Sequence, residues 1–155
     1  MSEGIGASVK RKEDKRFITG KGKYTDDIRM ENQAYAAFVR SPHAAAKVVS
    51  INSDEAMAME GVIAVLNGNE LKADGIGDII TGWAITSRDG NPMKTGAWSP
   101  LVTEFARYVG DAVAIVVAET QDIANEAALT VEVEYEDRPA VVHAPDALKD
   151  CAPQV

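Results

Sequence analysis

The stretch RYVGDAVAIVVAETQDIANEAALTVEVEYED (Arg107–Asp137) changes its hydrophobic period twice, and its reading decides the fold. Ala112–Ala118 is apolar throughout, the pattern of a strand covered on both faces, and Gly110 supplies the turn into it. Thr120 can accept hydrogen bonds from the amides of the following turn, so a helix is predicted from there to about Thr130. Within it Ile123, Ala127 and Val131 recur at four-residue spacing on one face. From Val131 the period drops to two. Val131, Val133 and Tyr135 point one way and Glu132, Glu134 and Glu136 the other, which predicts a half-covered strand. Pro139 ends the run.

Working outward, the same rules read the rest of the chain. QAYAAFVR (Gln33–Arg40) and KVVSIN (Lys47–Asn52) are predicted strands, broken by SPHAAA, where Pro42 restricts itself and Ser41 before it. Ser53 is read as the cap of a short helix ending at Gly61, with Asp54 and Glu55 at its positive end. VIAVLNG (Val62–Gly68) reads as a covered strand, and NELKADG as at most one helical turn. Gly75–Pro100 is a long irregular stretch holding both tryptophans, Trp83 and Trp98. We expect a tryptophan there to pack under its own loop; an exposed one would mark a docking surface. Thr19–Ile28 is a glycine-rich loop, residues 1–18 read as an arm, and PDALKD (Pro145–Asp150) as a closing helical turn. The fold class is α+β, with mixed short strands and two or three short helices.

Composition limits the function classes. A chain of 155 residues is long enough for one core. Residues 1–30 hold eight Lys/Arg against five Asp/Glu, whereas residues 31–155 hold eight against nineteen. The acidic body argues against nucleic acid as a partner, since that affinity comes mainly from phosphate neutralisation. The basic run Val9–Arg16 is interrupted by Glu13 and Asp14 and reads as a solvated arm. One cysteine, Cys151, cannot close an internal disulfide, which fits a reducing cytoplasm. No apolar run reaches membrane-spanning length, and the first thirty residues lack a signal-peptide core.

Candidate chemistry is sparse. Arg40, Ser41 and His43 fall within four residues, but nucleophile and base usually converge from separate segments, and Ser41 lacks a glycine-flanked elbow. His143 reads as a packed or rim residue. Cys151, His43 and His143 lack zinc-ligand spacing. Glu132, Glu134 and Glu136 stand about 6.6 Å apart in alternation, superficially a glycosidase pair, yet an outward acidic strand face is commonly just solvated. TGKGKYT (Thr19–Thr25) misses the phosphate-loop pattern, and the Lys-Thr-Gly of Met93–Gly96 has no Ser-x-x-Lys partner. We therefore assign no catalytic, cofactor-binding or metal residue.

Five stretches in order carry a family pattern: Gly6–Ile28, FVRSPHAAAKVVSIN (Phe38–Asn52), GVIAVLNGNEL (Gly61–Leu71), RYVGDAVAIVVAE and AALTVEVEYEDRPAVV (Ala127–Val142). Together they resemble the amino-terminal α/β-hammerhead domain of molybdenum hydroxylase large subunits. That family includes carbon monoxide dehydrogenase, aldehyde oxidoreductase and xanthine dehydrogenase. Gly75–Ala106 matches poorly, and Ala45 and Asp111 depart from residues frequent in relatives without upsetting a packing role.

The resemblance implies an arm over 1–18, the hammerhead over 19–145 and a tail over 146–155 leading to a molybdopterin-binding region that lies outside this chain. It implies a molybdopterin dinucleotide in that region, and [2Fe–2S] clusters and FAD in partner subunits or domains. The implied partners are the remainder of the large subunit and the iron–sulfur and flavin subunits, and the implied role is scaffolding without an active site of its own. Two other readings stand beside it. One is an independent binding module using the Gly75–Pro100 loop; the other is a small acid–base hydrolase on the Glu132–Glu136 face.

Overall fold

The computed structural model describes residues 4–6, 10–80, 82–83, 85–93 and 95–153; Val9 of the basic run and Lys94 of Met93–Gly96 fall outside them. The chain divides into two compact units, residues 1–33 and 34–155. In the first, the stretch read as an arm contains a helix, α1 (Asp14–Ile18). Phe17 and Tyr24 stack there at 5.4 Å between ring centroids, and Arg16 lies over the Phe17 ring. Its ion pairs, Arg11–Asp14 and Arg16–Glu13, are exposed, so each is worth under about 1 kcal/mol.

The second unit contains β1 (Tyr35–Arg40), β2 (Ala46–Asn52), α2 (Asp54–Ala58), β3 (Val62–Asn67), α3 (Gly68–Ala73), β4 (Phe105–Ala106), β5 (Ala112–Ala118), α4 (Gln121–Thr130) and β6 (Glu132–Asp137). These build two antiparallel sheets, ordered β1-β5-β3 and β4-β2-β6. β5 is central in the first sheet and buried along most of its length, as its unbroken apolar run predicts. α4 covers β1 and β5, and α2 packs on α4 and β3. One core cluster joins Val116 to Ala56, Ala127 and Val131; another joins Val113 to Val102 and Ala106, with Val48 and Val133 of the second sheet against it.

Local chemistry accounts for the helix ends. The Thr120 hydroxyl accepts from the Ile123 N–H at 3.2 Å, as predicted for the start of α4. Thr120→Ala should lower stability by about 1 kcal/mol, read from the urea midpoint, with the slope unchanged. Ser53 does not cap α2; the Asn52 carboxamide oxygen takes the Asp54 N–H instead, at 3.1 Å. Gly61 does stop that segment, in a left-handed conformation (φ +85°) that favours glycine. NELKADG proves to be more than a turn. Asn67 accepts from the N–H groups of Asn69 and Glu70, and Glu70 accepts the Asn67 N–H at 2.7 Å, a reciprocal cap that opens α3.

The Gly75–Pro100 loop holds a tight turn, with the Ser87 N–H donating to Asn91 O and the Met93 N–H to Ile85 O. Ser87 and Asn91 donate to the Asp89 carboxylate, which lowers its pKa to about 2. Both tryptophans contradict the expected packing: Trp83 is 81% exposed and Trp98 55%. The loop carries too few apolar neighbours of its own to cover an indole.

Candidate functional site

β1 belongs to one sheet and β2 to the other, so Ser41–Pro42–His43 forms the corner where the chain changes sheets. Backbone bonds hold it from both sides: the Ser41 N–H donates to Asp111 O at 2.8 Å, and the Gly110 N–H donates to Ser41 O at 2.7 Å. Arg40 Nη1 donates to Gly110 O at 2.8 Å. The Asp111 carboxylate accepts the Arg107 N–H at 3.0 Å, which ties down the approach to β5. Aspartate suits this position because its short side chain reaches a main-chain donor four residues back.

The corner gathers a serine, a histidine and an aspartate. His43 Nδ1 lies 2.6 Å from Asp137 Oδ1, and its ring sits 4.6 Å from that of Tyr135. This is the imidazole–carboxylate half of a triad, assembled from β6 and the corner. The serine half is turned elsewhere. Ser41 is 2% exposed, and its Oγ accepts the N–H of His43 at 3.1 Å and lies 3.4 Å from the His43 carbonyl. Its hydroxyl also bonds Tyr135. A nucleophile must reach both its base and a substrate; this hydroxyl is enclosed and committed to the turn. With Asp137 80% exposed, the His43–Asp137 pair contributes under about 1 kcal/mol.

Burial raises the Tyr135 pKa above its usual value, outweighing the Ser41 hydrogen bond that pulls it down. The protonated phenol is thus favoured in the folded state. Its contribution is complete below the unfolded value of about 10 and is lost as pH rises from there through the folded value. A spectrophotometric titration should show one tyrosine ionising later than the rest. The urea midpoint should begin to fall above about pH 10.

The other sequence candidates stay apart. Glu132, Glu134 and Glu136 are exposed along β6; Glu134 accepts from the Ser50 hydroxyl at 3.0 Å, and Glu136 stands opposite Lys47. His143 and Cys151 are exposed, and among the described residues no three His, Cys, Asp or Glu side chains are placed to hold a metal. A [2Fe–2S] cluster takes four protein ligands, chiefly thiolates, and this chain has one cysteine, so its residues do not fit a cluster. A pterin dinucleotide needs several convergent polar groups. Among the described residues no buried side-chain nitrogen or oxygen lacks a partner, so no such cradle stands waiting. Sequence reasoning did not find Asp137 as the partner of His43. That pairing depends on the β2–β6 register, which has no local signal.

The second sheet also ends in an apolar cavity of about 500 Å³, lined in part by Ala44–Ala46, Phe105, Arg107 and Arg138. Among the described residues no helix is long and apolar enough to cross a membrane.

Comparison with known proteins gives this geometry a context. The family profile described as aldehyde oxidase and xanthine dehydrogenase, a/b hammerhead domain, matches residues 19–139. The carbon monoxide dehydrogenase large chain of Hydrogenophaga pseudoflava is 38% identical over 142 residues, which cover 92% of this chain and 16% of that one. The xanthine dehydrogenase molybdenum-binding subunit of Escherichia coli O157:H7 is 37% identical, covering 88% of this chain and 18% of its own length. In the crystal structure of quinoline 2-oxidoreductase from Pseudomonas putida 86, a chain superposes with a TM-score of 0.83 at 35% identity, covering 98% of this chain and 19% of that one. This chain therefore spans less than a fifth of the relatives it matches. By the profile, the identities and the superposition together, the chain belongs to the aldehyde oxidase and xanthine dehydrogenase family, through its α/β-hammerhead domain.

Proposed function

We propose that this chain is the amino-terminal packing domain of a molybdopterin-dependent oxidoreductase large subunit and carries no active site of its own. The reading takes 1–18 as an arm, 19–145 as the hammerhead and 146–155 as a tail toward the cofactor-binding region. The parent reaction would be hydroxylation of the carbon monoxide, aldehyde or purine type. Molybdopterin dinucleotide would sit in the remainder of the subunit, with [2Fe–2S] clusters and FAD in partner subunits, in the cytoplasm. What carries the reading is coverage: nearly the whole chain aligns, against under a fifth of each relative.

The core supports it. The buried apolar residues are mostly alanine and valine, with Leu101 the largest side chain below 2% exposure, while Ile80, Trp83 and Val142 are more than four-fifths exposed. A domain that leaves its large side chains outside is built to be covered. The test is direct: the purified chain should not oxidise carbon monoxide, an aldehyde or xanthine with an artificial electron acceptor. Turnover without added subunits would refute the inert role.

The exposed Trp83, with Ile80 at 88% exposure, also favours a second reading, an independent binding module using the Gly75–Pro100 loop. A native polypeptide of only 155 residues would favour that module over the packing domain.

A further inference from the structure

We propose that the groove at the end of the second sheet seats an extended, carboxylate-bearing segment from the remainder of the large subunit. The inference rests on the packing role just proposed and specifies its contact surface. Because β2 runs antiparallel to both neighbours, its first residue, Ala46, lies opposite Ala106 of β4 and Asp137 of β6. The cavity of about 500 Å³ opens at that shared end. Its lining includes Ala44, Ala45, Ala46 and Ala106, whose methyl groups let another main chain approach closely. The aromatic ring of Phe105 and the side chains of Val109 and Val142 add apolar surface. Val109 is 65% exposed and Val142 84%, more than an isolated surface needs to leave uncovered.

Two arginines give the groove its sign. The Arg138 guanidinium lies 4.5 Å from the centroid of the Phe105 ring, and the residue's N–H donates to Ala45 O at 2.9 Å. Arg107 is held through its N–H by Asp111. Neither guanidinium forms an ion pair among the described residues, although the chain has 24 acidic side chains against 16 basic ones. In so acidic a protein, two unpaired arginines beside apolar lining match a partner that brings both a carboxylate and apolar groups. Four-fifths of the relatives' length lies outside the matched region, ample chain to supply such a segment.

The experiment separates this contact from the role beneath it. An antibody against this chain reads the size of the native polypeptide: a subunit several times 16.6 kDa is expected, and a product of 16.6 kDa would end both proposals. With the large subunit in hand, amide exchange of Tyr108, Val109, Val141 and Val142 is compared with that in the 155-residue chain. Exchange at least about ten-fold slower in the subunit is expected; equal rates would sink the groove and leave the packing role standing. In the subunit, Arg107→Glu with Arg138→Glu should abolish the slowing, and the paired Lys substitutions should retain it. Slowing that survives both glutamates would overturn the carboxylate. If sodium octanoate added to the 155-residue chain produced the same slowing, the groove would be a small-ligand site and the segment would be wrong. The double Glu variant of the 155-residue chain should keep its stability within about 0.5 kcal/mol, since both arginines are exposed.

Discussion

Gly68→Ala should destabilise the domain by about 3 kcal/mol, the upper range for overpacking. Helix propensity alone predicts the opposite sign: alanine in a helix is favoured over glycine by about 1 kcal/mol. Gly68 opens α3 and is buried. A Cβ placed there would lie 2.3 Å from Val102 O, 2.7 Å from Val102 C and 2.8 Å from Leu101 O. All three are main-chain atoms, so no rotamer change relieves the clash. Nor can that segment retreat easily. Leu101 is 1% exposed, Val102 7%, and the Val102 N–H is bonded to Ala112 O at 2.7 Å. Gly77→Ala is the control: nothing lies within 4 Å of its added Cβ, so the change should stay within about 0.5 kcal/mol. Urea unfolding of the three proteins checks the order. A Gly68→Ala protein as stable as the parent would mean that the approach of α3 to Leu101–Val102 is looser than described.

The same residue shows what the sequence carries and what it does not. The run from β5 through α4 to β6 was legible because each element has its own period and its own punctuation: Gly110, Thr120, the alternating glutamates and Pro139. The corner at Ser41–Pro42–His43 was legible as a break, since proline restricts two residues at once. That the break joins two different sheets was not, because sheet membership depends on pairing between residues far apart in sequence. α3 did leave a signal: Asn67 and Glu70 have the spacing of a reciprocal cap. Two glycines flanking the segment, Gly68 and Gly75, outweighed it, and Gly68 turns out to be there for close approach rather than flexibility. β4 has only two residues and no period to read. The tryptophans were misjudged for a different reason. Burial of an indole is a common tendency of single domains, and this one presents its large apolar side chains outward.

The candidate site divides in the same way. Ser41 and His43 were correctly read as neighbours in a turn, since both contacts between them run through the His43 backbone. Asp137 and Tyr135 join them only through the β2–β6 register. Family membership was legible despite weak chemistry because five ordered stretches constrain a fold far more tightly than one motif does. The parent's chemistry is not legible here, for the residues that would decide a substrate belong to the four-fifths of the relatives that this chain does not match.

Val116→Asp should prevent the domain from folding. Val116 is fully buried at the centre of β5, paired with Ala37 of β1 on one side and Val65 of β3 on the other. It packs on Ala56, Ala127 and Val131, with Val39, Ile51 and Val62 around that cluster. None of these side chains can accept or donate a hydrogen bond to a carboxylate. Leaving one ionised there costs several kcal/mol, and protonating it still leaves a polar group without a partner. A domain of this size holds only about 5–15 kcal/mol in all, and the alanine-rich core places this one toward the lower end. Val116→Ala provides the graded comparison: it removes two methyl groups without adding charge and should cost about 2 kcal/mol. Circular dichroism and urea unfolding at neutral pH distinguish the cases. The alanine variant should unfold cooperatively at a lower midpoint, and the aspartate variant should show no transition. A folded Val116→Asp protein would mean that water or a cation reaches the α2–α4–β5 layer, and the assignment of that layer as the core would fall.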